Sequence, residues 1–411
     1  MNTMPQLLEL CELIVDCEHK TAPTQDTGYP SIRTPNIGKG RLILDGVNRV
    51  SAETYKAWTQ RQVPKPCDLI LAREAPIGNV AIIAPGLEVC LGQRTVLIRT
   101  NRKKLNPQYL TYLMLGDEIQ GKILSMSNGA TVHHLNMKDI RELEMPPIPG
   151  LAVQERIASI LSAYDELIEN NTRRIKILEQ MAQMLYREWF VNFRFPGHEK
   201  VRMVESVLGP IPAGWMPKRL GDLCAETRRG VDPGDIDPAT PYIGLEHLPR
   251  KSIALGEWGR AGDVGSTKLR FKRGEILFGK IRPYFHKVGV APVDGVASSD
   301  AIVIVPNDPA YFGPVLCCVS SEDFVRHATK TSQGTKMPRA NWDVLTKYPL
   351  PLPNGALLKQ FNGTIRPIVE MLQNLVFRNR NLRTTRDLLL PKLISGEIPV
   401  EAAAELVEQT A

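Results

Sequence analysis

Arginine, lysine and amide side chains recur on turns that follow apolar runs in both halves of the chain. Arginine and lysine hydrogen-bond to guanine, asparagine and glutamine hydrogen-bond to adenine, and cations or hydroxyls bind phosphate. One group pairs Arg73 and Asn79 with Lys280, Arg282, Tyr284, His286 and Lys287. A second group pairs Ser127, Asn128, Thr131 and His133 with Ser332, Gln333, Thr335, Lys336 and Arg339, and Arg33 and Arg94 complete the set. Any single member could equally be an exposed residue without a ligand.

The composition favours a polyanionic partner without requiring one. The formal net charge is +7 and the isoelectric point is near 9.0, although mild basicity is common in soluble proteins. The seven cysteines form no C-x-x-C pair and are odd in number, which predicts free thiols in a reducing compartment and no zinc site.

Several segments resemble catalytic or ligand-binding motifs but depart from them in sequence or spacing. Asn106-Pro107-Gln108-Tyr109 resembles the N-P-P-Y loop that grips a flipped adenine, but the second proline is missing, and a helix start is the better interpretation. Gly262 to Lys268 lacks the spacing of a phosphate-binding loop, and His133-His134 lies in a polar loop without ligand spacing. We therefore predict no catalytic residue, no metal ligand and no cofactor bound by this chain.

The sequence predicts a soluble, cytoplasmic protein. Met1 to Leu10 has no basic segment before an apolar stretch, so it does not read as a signal peptide. The most apolar stretch, from Leu69 to Val89, contains Arg73 and Glu74 and is unsuited to crossing a membrane.

The second half of the chain is a diverged copy of the first, about two hundred residues further on. Leu69-Ile70-Leu71-Ala72 corresponds to Ile276-Leu277-Phe278-Gly279, and both segments are predicted to be short buried strands. Pro107 and Tyr109 correspond to Pro309 and Tyr311, where a helical turn should begin.

Each copy ends in a long helical segment whose apolar residues alternate in steps of four and three, as in a coiled coil. The first seam comprises Ile157, Leu161, Tyr164, Ile168, Asn171, Ile175, Leu178, Ala182, Leu185 and Trp189. The second comprises Leu358, Phe361, Ile365, Ile368, Leu372, Leu375, Asn379, Leu382, Arg386, Leu389 and Leu393. We predict that the two helices, each about 55 Å long at 1.5 Å per residue, pack against each other, the alternative being that each covers its own globular domain.

Near two-fold symmetry between the copies requires antiparallel helices. Equivalent seam positions differ by 204, so facing residues should have numbers that add to about 550. This register pairs Asn171 with Asn379, Trp189 with Phe361, Ala182 with Ile368, and Tyr164 with Arg386 in a stack. Pro367 lies inside the second seam and could kink or restart that helix.

The predicted fold class is α+β. Two mixed α/β domains, residues 1–150 and 215–354, are joined by two long antiparallel coiled-coil helices, residues 151–195 and 355–396, in an internal pseudo-two-fold repeat. Residues 196–214 form a linker and residues 397–411 a C-terminal tail.

The helical segments resemble the conserved regions of one family, the specificity (S) subunits of type I restriction–modification systems. Gln154 to Leu161, Tyr164 to Asn171 and Tyr186 to Phe190 are similar to the central conserved region of that family, and Leu388 to Pro399 to its distal one. Gly209 to Trp215, followed by Leu220 to Leu223, resembles the entry to its second recognition domain. The first domain departs from the pattern, since no tryptophan precedes Leu10-Cys11.

The resemblance implies a non-catalytic subunit with two target recognition domains, each of which reads one part of a bipartite, asymmetric site in double-stranded DNA. It implies that the helices set the spacer and that exposed apolar surface on them docks two methyltransferase subunits, with motor–nuclease subunits added in the full complex. S-adenosylmethionine, ATP and Mg²⁺ are then expected in the partners only. The basic and amide residues above become candidate DNA contacts. A scaffold protein with protein-binding ends and a self-contained restriction or methylation enzyme are the alternatives, the second of which needs a cofactor loop or nuclease triad.

Overall fold

The computed structural model describes residues 4–127 and 134–403, which form two compact units. Unit 1 comprises residues 1–167 and 382–411, and unit 2 comprises residues 168–381. Both contain small mixed sheets, short helices and a portion of each of two long helices. In the described part of the chain no helix is both long and apolar enough to cross a membrane.

Unit 1 contains two sheets. Its strands are β1 (Cys11–Asp16), β2 (Tyr29–Ile32), β3 (Gly40–Arg41), β4 (Arg49–Val50), β5 (Leu69–Ala72), β6 (Val80–Ile82), β7 (Cys90–Leu91) and β8 (Thr95–Thr100). Its helices are α1 (Leu7–Leu10), α2 (Ala52–Trp58), α3 (Pro107–Leu115), α4 (Asp117–Met126), α5 (Met137–Arg141) and the first part of α6 (Leu151–Tyr186). The strand orders are β1-β8-β5-β6-β3 and β4-β2-β7.

Unit 2 is built from a longer series of short strands. They are β9 (Met203–Val204), β10 (Ile211–Pro212), β11 (Met216–Arg219), β12 (Cys224–Glu226), β13 (Gly230–Val231), β14 (Pro241–Ile243), β15 (Gly259–Arg260), β16 (Lys268–Phe271), β17 (Ile276–Gly279), β18 (Val288–Val290), β19 (Gly295–Ala297), β20 (Ala301–Pro306) and β21 (Pro349–Leu352). Its helices are α7 (Leu220–Leu223), α8 (Phe312–Val319), α9 (Glu322–Lys330), α10 (Trp342–Leu345) and most of α11 (Gly355–Ser395). The two larger sheets have the orders β12-β20-β17-β18 and β13-β16-β19-β14-β15.

The repeat seen in the sequence is a repeat of sheet topology. The order β1-β8-β5-β6 in unit 1 matches β12-β20-β17-β18 in unit 2, with antiparallel pairing throughout. The strands β5 and β17 coincide with the two apolar runs predicted from the sequence, and every residue in both is buried. A continuous apolar run forms such a central strand because both of its faces are covered.

The helix starts predicted at the two prolines are also present. In unit 1, Asn106 caps α3 by accepting a hydrogen bond from the Tyr109 amide at 3.0 Å, with Pro107 in the first turn. In unit 2, Asp308 accepts from the Ala310 amide at 2.7 Å, and the 3₁₀ turn Pro309–Tyr311 leads into α8. A side-chain oxygen before a proline-led turn satisfies an amide that the helix itself leaves free.

Three of the four predicted facing pairs of the seam lie within unit 2. The Asn171 amide donates to the Asn379 carbonyl oxygen at 2.9 Å, and the rings of Trp189 and Phe361 are 5.5 Å apart. Ala182 and Ile368 are buried in the same apolar cluster. The segments of α6 and α11 in this unit therefore run antiparallel. The buried asparagines satisfy each other, which a lone buried amide could not do.

Two details of the helices differ from the sequence expectation. The α11 helix runs unbroken through Pro367, because Phe361, Ile365, Ile368 and Leu372 around it are all buried in one core whose packing outweighs the loss of one backbone hydrogen bond. Within unit 1, Arg386 is ion-paired with Asp165 and with Asp387, and this pairing replaces the stack that we expected on Tyr164. Finally, α6 ends in a π-helical turn, Arg187–Val191.

Candidate nucleic-acid interface

The turn that follows β17, which we call the unit-2 turn (residues 280–287), has an unusual backbone. Arg282 and His286 both adopt left-handed conformations, with φ of 49° and 53°, on either side of the 3₁₀ turn Pro283–Phe285. Non-glycine residues rarely adopt this conformation, which costs about 1–2 kcal/mol per residue. The turn is therefore held in place by contacts outside itself.

Aromatic and guanidinium groups stack at the tip of the unit-2 turn. The Arg250 guanidinium lies 4.1 Å from the centre of the Phe285 ring, and that of Arg282 lies 6.0 Å from it. The Tyr284 ring is 4.8 Å from Phe285 and half exposed. Cations over an aromatic face hold their positions without losing their charge, so the tip presents both positive charge and an exposed ring.

Two residues of the unit-2 turn, both predicted to contact DNA, use their side chains to bind carbonyl groups of unit 2, and only Lys287 keeps some exposure. His286 is buried with Nε2 2.9 Å from the Ser320 carbonyl oxygen, and desolvation lowers its pKa. Lys287 donates from Nζ to the Leu245 carbonyl, and partial burial lowers its pKa as well. Both side chains hold the turn against the body of unit 2.

A second segment, which we call the unit-2 loop (residues 332–340), lies beside the unit-2 turn. Gln333 and Arg339 exchange two backbone hydrogen bonds of 3.0 and 2.8 Å, and Gly334 adopts a φ of 99° that closes the loop. The Ala340 amide donates to the Lys280 carbonyl at 2.8 Å, and the Arg282 amide to the Pro338 carbonyl at 2.7 Å. The structure thus brings together the two groups of residues predicted from the second half of the sequence.

The side chains of the unit-2 loop are mostly solvent-exposed. Gln333, Thr335, Lys336 and Arg339 are all exposed, and the nearest carboxylate contact of Arg339 is a long one of 3.8 Å to Asp300. The hydroxyl of Ser332 donates to the Thr329 carbonyl and so caps the C-terminal end of α9. Nearby, Lys280 donates from Nζ to the Ser299 carbonyl. The exposed members suit phosphate or base contacts.

The equivalent turn of unit 1, which we call the unit-1 turn (residues 73–79), directs its cation inward. Arg73 is buried and donates to Asp16 Oδ2 at 2.7 Å and to the Leu135 carbonyl at 2.9 Å, with His134 Nε2 at 2.9 Å. The predicted DNA contact at Arg73 is corrected accordingly, because its guanidinium is enclosed by these partners. Asn79 likewise donates its amide to the Ile37 carbonyl at 2.9 Å.

Of the cations of unit 1 that were predicted to contact DNA, Arg33 and Arg94 are exposed. Gly92 lets Arg33 lie across its backbone, since a Cβ at Gly92 would be 2.5 Å from Arg33 Cγ. Arg94 has a φ of 67°, and its guanidinium pairs with Glu74 at 2.9 Å while remaining 60% exposed. Ser127 donates to the Leu124 carbonyl at 2.6 Å, whereas Asn128, Thr131 and His133 lie outside the described residues.

Sequence reasoning missed the residues that hold these turns. Arg250 and Phe285 fix the unit-2 turn, while Asp16 and Glu74 neutralise the cations of unit 1. Of these residues, only Glu74 could have been found from the sequence, because it is an acid adjacent to Arg73. Arg250 and Asp16 are distant in the chain from their partners, so no local pattern could have indicated them.

One cluster in the described residues has the composition of a metal site. Donor atoms of Asp16, Cys17 and His19 lie within 4.8 Å of one another. However, Asp16 Oδ2 already contacts both Arg73 and His19, and burial raises the pKa of the Cys17 thiol. A neutral thiol and an arginine-bound carboxylate make poor metal ligands, so the cluster is better explained as part of the Arg73 network.

Comparisons with known proteins agree with this architecture. The sequence model of a family described as "Type I restriction modification DNA specificity domain" matches residues 6–180. The chain is 27% identical over 372 residues to the type I restriction enzyme MjaIX specificity subunit of Methanocaldococcus jannaschii, a match that covers 87% of this chain and 84% of that protein. It is 24% identical over 344 residues to the EcoDI specificity subunit of Escherichia coli, which covers 76% and 74% of the two chains.

A solved structure has the same fold. The crystal structure of the type I restriction–modification S subunit from M. genitalium aligns with 95% of each chain at a TM-score of 0.56 and 15% identity. The similarity in sequence to named specificity subunits extends over most of the chain, and the solved fold accounts for both units. The chain is therefore similar over most of its length to specificity subunits of type I restriction–modification systems, and its first part matches the sequence model of their DNA specificity domain.

Proposed function

We propose that this chain is the DNA-reading subunit of a type I restriction–modification complex and catalyses no reaction itself. Unit 1 contacts one part of a bipartite DNA site and unit 2 contacts the other. The observation that carries the proposal is the pair of equivalent strands, β5 and β17, which end in turns with different side chains. One scaffold with two different reading surfaces suits a site whose two parts differ in sequence.

The charge distribution of unit 2 supports a DNA ligand. Lys336, Arg339 and the Arg282–Phe285 tip combine exposed cations, an amide neighbour in Gln333 and an exposed tyrosine ring. Lysine and arginine contribute most of the affinity for the phosphate backbone, while arginine and glutamine can also distinguish base edges. In unit 1, Arg33 and Arg94 have the corresponding role.

The long helices set the gap between the two parts of the site and dock the partner subunits. The hydrogen bond between Asn171 and Asn379 specifies one register, as buried asparagines do in coiled coils. Ile177, Met181, Met184 and Met371 are large apolar side chains that remain about half exposed on the helices of unit 2. Such a surface suits a protein partner. The partners are two methyltransferase subunits, with motor–nuclease subunits in the complete enzyme, and they bind S-adenosylmethionine, ATP and Mg²⁺ in the cytoplasm.

The decisive experiment is methylome sequencing of cells that express the chain with its cognate methyltransferase subunit, compared with cells that lack the chain. We expect a new methylated motif of two short parts separated by a fixed gap. Assembly of the complex without any such motif would contradict the proposal and favour a scaffold role. Insertion of one matched turn into each long helix should lengthen the gap, and an unchanged gap would refute the role of the helices as a spacer.

A charge-matched pair of variants separates DNA contact from general charge loss. Lys336→Ala/Arg339→Ala removes two exposed cations from the unit-2 loop, and Lys347→Ala/Lys359→Ala removes two exposed cations elsewhere in unit 2. Each lost phosphate contact lowers the salt dependence of log affinity by about 1. We expect the first pair to lower the slope by about 2 and the second to leave it unchanged, as measured with the assembled methyltransferase and its DNA site. Equal slopes would mean that the unit-2 loop does not touch DNA.

A further inference from the structure

Glu179, on α6, binds a segment of unit 2 that carries no predicted DNA contact. Its Oε1 accepts hydrogen bonds from Ser252 Oγ at 2.6 Å and from the amides of Ile253 and Ala254 at 2.7 and 3.0 Å. A single carboxylate oxygen with three donors fixes a short backbone stretch more firmly than apolar contact does, because charge-assisted hydrogen bonds are short and directional. We call residues 250–258 the bridging segment.

The same bridging segment contacts the second long helix. The Arg380 guanidinium of α11 lies 3.9 Å from the centre of the Trp258 ring, and the Phe377 ring is 6.0 Å from Trp258. A Cβ at Gly256 would be 3.5 Å from Val376. The segment is therefore held by both long helices, by a carboxylate at one end and by aromatic packing at the other.

The beginning of the bridging segment holds the unit-2 turn. Arg250 stacks on Phe285 at 4.1 Å, and the Lys251 amide donates to the His286 carbonyl at 2.8 Å. A backbone bridge also joins Arg250 to Lys287. Arg282 and His286 therefore lie in a turn that contacts the bridging segment. The bridging segment in turn contacts both long helices.

We propose that Glu179 is a positioning residue for DNA recognition, which acts through the bridging segment to fix the orientation of the unit-2 turn on the long helices. This inference rests on the proposed function and assigns part of its specificity to a residue that touches no DNA. The equivalent position in unit 1, 204 residues further on, is Arg383, which lacks a carboxylate. The contact between Glu179 and the bridging segment lies within unit 2. Its loss should therefore affect only discrimination in the half-site that unit 2 reads and discrimination between gap lengths.

The test uses the chain assembled with its methyltransferase subunits and measures initial methylation rates on a set of duplexes. The set holds the cognate site, single-base changes in either half-site, and gaps one base pair shorter or longer. The half-site read by unit 2 is the one whose phosphates lose protection from hydroxyl-radical cleavage in Lys336→Ala/Arg339→Ala. The variants are Glu179→Ala, Glu179→Gln, which keeps an acceptor oxygen in place, and the control Glu370→Ala, an exposed acid on α11.

We expect Glu179→Ala to weaken discrimination against the altered gaps and the altered unit-2 half-site by about 10-fold, since misplacement of about 1 Å has effects of this size or greater. Discrimination in the unit-1 half-site should not change, Glu179→Gln should restore most of the loss, and Glu370→Ala should behave as the wild type. A uniform drop in rate on every duplex, which a general loss of folded protein would produce, overturns the inference, as does unchanged discrimination.

A second variant keeps the inference testable if Glu179→Ala fails to assemble. Ser252→Ala removes one of the three donors to Glu179 and leaves both backbone amides in place. It should relax gap discrimination by about threefold, a smaller effect of the same kind, because one hydrogen bond of several is lost. Discrimination identical to the wild type would overturn the inference. Failure of the wild-type complex to methylate any specific site would instead contradict the proposed function itself.

Discussion

The unit-1 turn and the unit-2 turn follow equivalent strands, but the basic residue that begins each turn is placed differently. The unit-1 turn places Arg73 inside and surrounds it with Asp16, His134 and the Leu135 carbonyl. The unit-2 turn is held by Arg250 stacked on Phe285, and the side chain of Lys280, at the position of Arg73, donates to the exposed Ser299 carbonyl. Arginine has five donors in a planar group and can be fully satisfied internally, whereas a lysine ammonium is a compact, strongly hydrated charge.

This difference teaches that equivalent position in a repeat does not imply equivalent function. A basic residue after the central strand is present in both units, yet in unit 1 it is buried among several partners and in unit 2 it is half-buried and donates to the Ser299 carbonyl. Among the predicted contacts of unit 1, the exposed cations are instead Arg33 and Arg94, which follow other strands. The two units therefore differ in which strand ends carry their exposed predicted cations.

The largest expected effect is on the unit-1 turn. Arg73→Ala should lower the free energy of unfolding of unit 1 by about 3 kcal/mol, because it leaves Asp16 without its partner in a mostly buried site. Urea denaturation measures the loss, and amide hydrogen exchange in β5 and β8 locates it. Arg33→Ala, at an exposed position, should change stability by less than about 0.5 kcal/mol. Equal stability of the two variants would mean that the Arg73 network contributes nothing.

Relief of backbone strain in the unit-2 turn should change the free energy of unfolding less than Arg73→Ala does, and in the opposite direction. Arg282→Gly should raise stability by about 1 kcal/mol, because glycine adopts the left-handed conformation at little cost. The same variant should weaken DNA binding, since a half-buried cation of the candidate interface is lost. Cys67→Gly, at a left-handed position outside both turns, is the control and should stabilise the chain without affecting DNA. A loss of stability in Arg282→Gly would show that its contacts outweigh the strain.

Stacking at the tip of the unit-2 turn contributes less. Arg250→Ala removes the guanidinium over Phe285 and should destabilise unit 2 by about 0.5–1 kcal/mol, the usual range for such contacts at exposed sites. Arg250→Lys should recover part of this loss, because an ammonium also interacts with an aromatic face. Chemical denaturation of the three proteins measures both differences, and no difference between Ala and Lys would rule out the cation–π contribution.

The sequence predicted the scaffold of both units better than the roles of their turn residues. Apolar runs located β5 and β17, and the heptad pattern located the long helices and the facing of Asn171 with Asn379, because these features depend on local periodicity. The burial of Arg73 depends on Asp16, 57 residues earlier, and that of His286 on Ser320, 34 residues later. Such pairings arise from tertiary packing, which a single sequence does not encode locally. Tertiary packing also explains why the α11 helix is unbroken at Pro367.

The smallest effect should be a pH dependence confined to unit 2. Because burial lowers the pKa of His286, the folded state binds fewer protons than the unfolded state just below the ordinary histidine pKa of about 6.5. Its contribution to stability is therefore complete above that pH and is lost as the pH falls through the lowered pKa. Unfolding free energies at about pH 7.5 and about pH 5.5 should differ less in His286→Asn than in the wild type.

Asparagine is the suitable replacement at position 286 because it tolerates the left-handed backbone of that residue and carries no titratable group. Tyr284→Asn changes a nearby exposed residue of the same turn and leaves His286 in place. It should therefore retain the pH difference of the wild type. If His286→Asn also retains it, then proton uptake elsewhere governs the acid sensitivity of unit 2.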